Sequence, residues 1–196
     1  MVVHPSVPAN SVREYVALAK AKPQTLTYAS GGTGAITQMV GELLKSTTGI
    51  QVREIPYKAI GAELPDLTGG HVSTAFLASV VIRDHIRSGK LRGLAVAGRE
   101  RVSIVPDVPT MAEAGFPGIE ATGWNGLFVP AGTPASVVLR LQEETGKVLK
   151  SKEMQDEAVT LGSELGGERP EVFAAFVRSE IQKWGKVIKE AGIKIE

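Results

Sequence analysis

Ser30-Gly31-Gly32-Thr33-Gly34 places three glycines and two hydroxyls directly ahead of a stretch with helical spacing. Glycine lets the backbone turn tightly, and free amides at the start of the following helix favour an anion. Ser30 and Thr33 add hydroxyl donors. Two chemistries fit: binding of a carboxylate or phosphate, and a structural turn in which Thr33 caps the helix. The spacing matches neither G-x-x-x-x-G-K-[ST] nor G-x-G-x-x-G, which excludes a nucleotide-binding loop.

Catalytic templates are missing from the rest of the chain, which has no G-x-S-x-G elbow and no S-x-x-K. His4, His71 and His85 lack H-E-x-x-H or H-x-H spacing, so solvated histidines account for them better than a metal site. Asp66, Asp84 and Asp107 read as turn and helix-face carboxylates. Arg83, Arg87, Lys90, Arg92, Arg99 and Arg101 form a basic run that reads as a solvated face. Trp124 and Trp184 read as packing residues. No catalytic residue, metal ligand or cofactor is assigned, and the chain is not expected to be an enzyme.

A loop of this kind needs a strand before it and a helix after it. The pattern supplies a strand over 25–29 and a helix over 36–47, carried by Met39, Val40, Leu43 and Leu44. Upstream, a helix over 11–20 starts with Ser11 and Glu14 at capping-box spacing. Downstream come a strand over 52–56, a helix over 60–67, a strand over 72–77, a helix over 79–87 and a strand over 91–97. This alternation predicts a mainly parallel sheet covered by helices, an α/β fold. Beyond it lie a short helical stretch over 110–114 and a strand over 121–129. Thr133 as N-cap with Pro134 at the first helical position opens a helix to 150. Helices over 152–161 and 170–191 follow. Residues 1–121 therefore read as one α/β lobe, and 122–196 as a largely helical remainder of another. Val172, Phe173, Phe176, Val177, Ile181 and Trp184 form an apolar stripe with little sheet to cover it.

Composition narrows the function classes. The 22 Lys and Arg against 21 Asp and Glu leave a formal charge of +1, without the cationic excess that nucleic-acid binding needs. With no cysteine, disulfides, thiolate zinc sites and iron–sulfur clusters are excluded. No apolar run approaches the roughly 20 residues of a membrane helix. Met1-Val2-Val3-His4-Pro5 does not read as a signal peptide, so translation as written would leave the chain in the cytoplasm.

Five further segments, in order, carry a resemblance. They are Ile55-Pro56-Tyr57-Lys58 with Asp66-Leu67-Thr68-Gly69-Gly70 and Val72, then Gly89-Lys90-Leu91-Arg92-Gly93-Leu94-Ala95-Val96. Pro106-Asp107-Val108-Pro109-Thr110 follows, with Glu113-Ala114-Gly115 and Pro117-Gly118. The last two are Trp124-Asn125-Gly126 with Pro130-Ala131-Gly132-Thr133-Pro134, and Lys183-Trp184 with Ala191-Gly192-Ile193. Together they resemble the runs VPYKG…DLxGGxV, GKLRxLAV, PDVPTxxEAGxPG and WxGxxxPAGTP, and the closing helix, of the tripartite tricarboxylate transporter receptors, the Bug family.

The resemblance implies a periplasmic-binding-protein-like, Venus-flytrap fold whose two α/β lobes close on a small organic carboxylate. It implies delivery of that ligand to membrane permease subunits, and a periplasmic location. One loop from each lobe would grip the ligand, and the family's YGSAGxGS loop falls on Tyr28 to Ala35. Ser30, Gly31, Gly32, Thr33 and Gly34 are thus the expected binding residues. Ala35 stands where the family often has Ser, and Ala59 where it has Gly. Leu77 and Ala78 follow the strand where a polar residue is frequent, which favours a less polar acid over an amino-bearing one. Against the family the chain is short at its start, implying one complete lobe and an incomplete second. The rival reading is an interaction module outside transport that self-associates through its exposed helices. A small enzyme acting on an anion would rest on the Ser30–Thr33 hydroxyls alone.

Overall fold

The computed structural model describes residues 1–193. In chain order the elements are β1 (Val2–Val3), α1 (Val12–Ala21), β2 (Thr27–Ser30), α2 (Ile36–Thr48), β3 (Arg53–Pro56) and α3 (Leu64–Thr68). Next come β4 (Thr74–Ala75), α4 (Ser79–Arg87), β5 (Arg92–Gly93), α5 (Ala135–Leu149), α6 (Lys152–Leu161) and α7 (Pro170–Ala191). The strands form one five-stranded sheet in the order β3-β2-β4-β1-β5. β2 lies parallel to both β3 and β4, whereas β1 runs antiparallel between β4 and β5.

Alternation along the strands decides which helices cover which face. Val3, Tyr28 and Phe76 point into a core with Val12, Tyr15 and Val16 of α1 and Val40 and Leu44 of α2. Val2, Ala29 and Ala75 point the other way, onto Leu67 of α3 and Ile82 of α4. The helices over α1 and α2 are thus on one face, and α3 and α4 on the other. Tyr28 meets Phe76 edge-on at 6.5 Å, and Gly41 is required beneath it, since a Cβ there would sit 2.3 Å from the tyrosine ring.

Local signals explain most of the boundaries. The Ser11 hydroxyl accepts from the Glu14 amide at 3.2 Å, and the Glu14 carboxylate accepts from the Asn10 amide at 2.7 Å. The Val12, Tyr15, Val16 and Ala19 stripe of α1 is buried as its spacing predicts. α2 ends at Gly49, whose φ of 70° is the left-handed conformation favoured after a helix. The predicted helix over 60–67 starts only at Leu64, after Gly61 at φ 95° and with Pro65 in the first turn. At 110–114 there is a turn instead of a helix, held reciprocally by Thr110 and Glu113. α5 starts at Ala135, one residue later than predicted, with Thr133 bonded to the Pro130 carbonyl.

The strands differ from expectation in three places. The strand over 91–97 pairs only at Arg92–Gly93, because Val96 leaves the ladder for a parallel bridge to Thr110. Residues 121–129 join no ladder among the described residues. Trp124 instead packs edge-on against Phe173 and Phe176, at 5.7 and 5.3 Å. The central β1 escapes the sequence reading altogether, since two residues carry no detectable period. Its burial brings the Met1 amine inside, where it donates to the Ala95 carbonyl at 2.7 Å. Desolvation lowers that amine to about 5 from 8.0.

The later helices are covered less well. α5 has no buried residue. α7 leans on α2, with Trp184 against the first core, yet Val172, Phe176 and Ile181 remain exposed. Among the described residues, no helix is long and apolar enough to cross a membrane.

Candidate functional site

β2 sits between β3 and β4, all three parallel, so the chain passes to one side of β2 and then to the other. Beyond the carboxyl ends of β2 and β4 the chain diverges into α2 on one face and α4 on the other. A crevice at such a switch point is where open α/β sheets bind ligands. Ser30 to Gly34 occupies that position. The N-cap positions of these two helices are Ala35 and Ala78, and neither helix has a side-chain cap.

The loop conformation depends on its glycines. Gly32 and Gly34 have φ of 95° and 80°, where an L side chain is strained. Gly31 is required for a different reason: a Cβ there would lie 2.6 Å from Ile60 Cγ1 and 3.0 Å from the Ile60 backbone nitrogen. The segment after β3 therefore lies directly across the loop, anchored by the Tyr57 amide on the Ser30 carbonyl at 2.8 Å.

Side chains of α2 satisfy part of the loop. The Gly31 amide donates to Thr37 Oγ1 at 2.8 Å, and the Gly34 amide to Gln38 Oε1 at 2.9 Å. The Gly32 amide donates to Ser30 Oγ at 3.3 Å, and Ser30 donates to Glu54 Oε1 at 2.5 Å. Thr33 does not cap α2: its hydroxyl is exposed and makes no hydrogen bond among the described residues. The amides of Thr33, Ile36, Thr37 and Gln38 likewise find no acceptor there. A helix of this length presents roughly half a positive charge at such a terminus. Chemically, the arrangement offers one free hydroxyl and a first turn of free amides to an anion.

Charged neighbours shape the rim. Tyr57 donates to Asp66 Oδ2 at 2.6 Å; desolvation and then this bond push its hydroxyl up to about 12. Glu63 is fully buried beside it, with one oxygen on the Gly61 amide and the other without a partner among the described residues. Tyr28 donates to Glu42 at 2.6 Å, and its burial raises it far above the usual phenol range.

The five residues singled out in the sequence lie together at this edge, Ser30 buried and Thr33 exposed. Thr37, Gln38 and Glu54 were not anticipated, and each holds one of the loop's polar groups. Four of the six residues of the basic run are engaged within the chain. Arg83 pairs with Asp84, Arg99 with Glu120 and Arg101 with Glu113, while Arg92 donates to the Val7 and Ala9 carbonyls. Among the described residues no cluster of His, Cys, Asp and Glu could hold a metal ion.

Solved structures share this architecture. The R. palustris protein Rpa4515 with adipate superposes with a TM-score of 0.84 at 32% identity, covering 98% of this chain and 64% of that one. MatC from Rhodopseudomonas palustris with bound malate gives a TM-score of 0.78 at 29% identity, covering 95% of this chain and 65% of that one. Among curated proteins, BugT of Bordetella pertussis is 32% identical over 196 residues, all of this chain and 60% of its own length. These likenesses define a periplasmic-binding-protein-like α/β fold. Over residues 1–193 the chain matches the model of the tripartite tricarboxylate transporter family receptor, and it belongs to that family.

Proposed function

We propose that the chain forms the ligand-gripping part of a periplasmic solute-binding receptor that captures a small organic carboxylate and catalyses no reaction. Delivery to the permease subunits of a tripartite tricarboxylate-type transporter completes the role. The observation that carries this reading is the uncapped first turn of α2 behind Ser30 to Gly34, at the carboxyl edge of β2. In this reading residues 1–121 are a ligand-binding lobe and 122–196 belong to the other. Ser30, Gly31, Gly32, Thr33 and Gly34 form the gripping loop. The adipate and malate on the structural relatives support a dicarboxylate, and Leu77 with Ala78 favours a weakly polar one.

The described residues hold one such loop, so weak binding at most is expected of this chain by itself. Amide NMR reads binding that weak. Adipate should shift the Thr33, Ile36, Thr37 and Gln38 amides in a saturable way, and the neutral diol of equal length should not. Absence of these shifts would sink the carboxylate reading.

The exposed apolar residues favour a second reading, self-association. Leu127 is 75% exposed and Phe128 68%, Phe128 lies against Phe173 of α7, and α5 buries no residue. An exposed patch of this kind commonly marks an interaction surface. Light scattering decides: a mass that doubles with concentration supports it, and a constant monomer mass rejects it.

A further inference from the structure

A continuous path of hydrogen bonds leaves the glycine loop, crosses to the edge strand and returns. The Gly32 amide donates to Ser30 Oγ at 3.3 Å, and Ser30 donates to Glu54 Oε1 at 2.5 Å. Glu54 Oε2 accepts from Gln38 Nε2 at 3.1 Å, and Gln38 Oε1 accepts from the Gly34 amide at 2.9 Å. The path starts and ends on loop amides two residues apart. It reaches β3 at one carboxylate.

Its polarity is forced at the Gln38 end. A backbone amide only donates, so Gln38 must turn its oxygen to Gly34 and its NH2 outward. The outward NH2 needs an acceptor, which Glu54 supplies with one oxygen while the other takes the Ser30 hydroxyl. Neither bond is local in sequence: Glu54 is 24 residues from Ser30 and 16 from Gln38.

We infer that Glu54 is a positioning residue of the loop, holding the Gly32 and Gly34 amides inward through Ser30 and Gln38. Of the loop and the first turn of α2, the Thr33 hydroxyl and the free first-turn amides are then left to meet a ligand. This rests on the reading of the loop as an anion site. It divides the two hydroxyls by task. Ser30, buried and committed to Glu54, fixes the loop's shape. Thr33, exposed and uncommitted, supplies the ligand contact.

Amide hydrogen exchange on the ligand-free 196-residue chain tests the positioning role. Glu54→Ala should speed exchange of Gly32 and Gly34 about tenfold, the size of one lost hydrogen bond. Glu54→Gln should keep both slow, because its oxygen accepts from Gln38 and its NH2 donates to the Ser30 hydroxyl. Gln38→Glu alone sets two carboxylates face to face and should speed Gly34. Adding Glu54→Gln to it restores donor against acceptor at every link, and Gly34 should slow again. A carboxylate that merely stabilises the fold gives no such rescue. Unchanged exchange in Glu54→Ala, or no repair in the double variant, overturns the inference. Adipate titration of the unsubstituted chain separates the two claims: if Thr33 does not shift while the exchange pattern holds, the anion reading falls and the positioning role stands.

Discussion

At the scale of single residues, the loop's glycines are required for two distinguishable reasons. Gly34 sits at φ 80° with open space where a Cβ would go, so its requirement is conformational alone. Gly34→Ala should therefore cost about 1–2 kcal/mol, the penalty of a left-handed L residue. Gly31→Ala meets Ile60 at 2.6 Å, so the segment after β3 must move, and adipate-induced shifts should weaken with it. Urea denaturation of the two variants beside adipate titration checks this; a Gly34→Ala chain as stable as the parent would refute the strain. The glycines and hydroxyls were legible because a tight glycine loop is written in consecutive positions. Thr37, Gln38 and Glu54 were not, because their types are unremarkable on a helix and a strand. Their role exists only once β2 and β3 pair.

Elements were legible in proportion to their length. α1, α2, α4, α6 and α7 coincide with their apolar spacing to within a residue or so, because several turns repeat the same signal. The strands here are two to four residues long, too short for a period, and β1 is recognisable only by burial between two neighbours. Residues 121–129 show the opposite failure: their apolar run reads as a strand, but pairing needs a neighbouring strand, and none is present among the described residues. The cap of α1 gives a quantitative check. Ser11 accepts from the Glu14 amide and fixes where the helix begins. Ser11→Ala should cost about 1 kcal/mol. In a chain of this size that lowers the melting temperature by about 2–4 °C. An unchanged melting curve would show that packing of Val12 and Tyr15 alone sets the start.

On the scale of the whole molecule, β1 closes the sheet in its middle, and in a 196-residue polypeptide prepared to begin at Met1 this couples stability to pH. The Met1 amine is fully buried against the Ala95 carbonyl, and desolvation lowers it from 8.0 to about 5. Between these values the unfolded chain binds a proton that the folded chain does not, so protons favour unfolding. Stability is at its full value above pH 8, falls as the pH drops to about 5, and then levels off. Three units at about 1.4 kcal/mol each make the loss about 4 kcal/mol. Asp84, Glu113 and Glu180, whose carboxyls are lowered from 3.8, 4.5 and 4.5, contribute only below this window. Urea denaturation of the 196-residue chain at pH 5, 6, 7 and 8 should give midpoints that climb with pH. Equal midpoints across that range would show that the amine reaches water, and that β1 is not seated between β4 and β5.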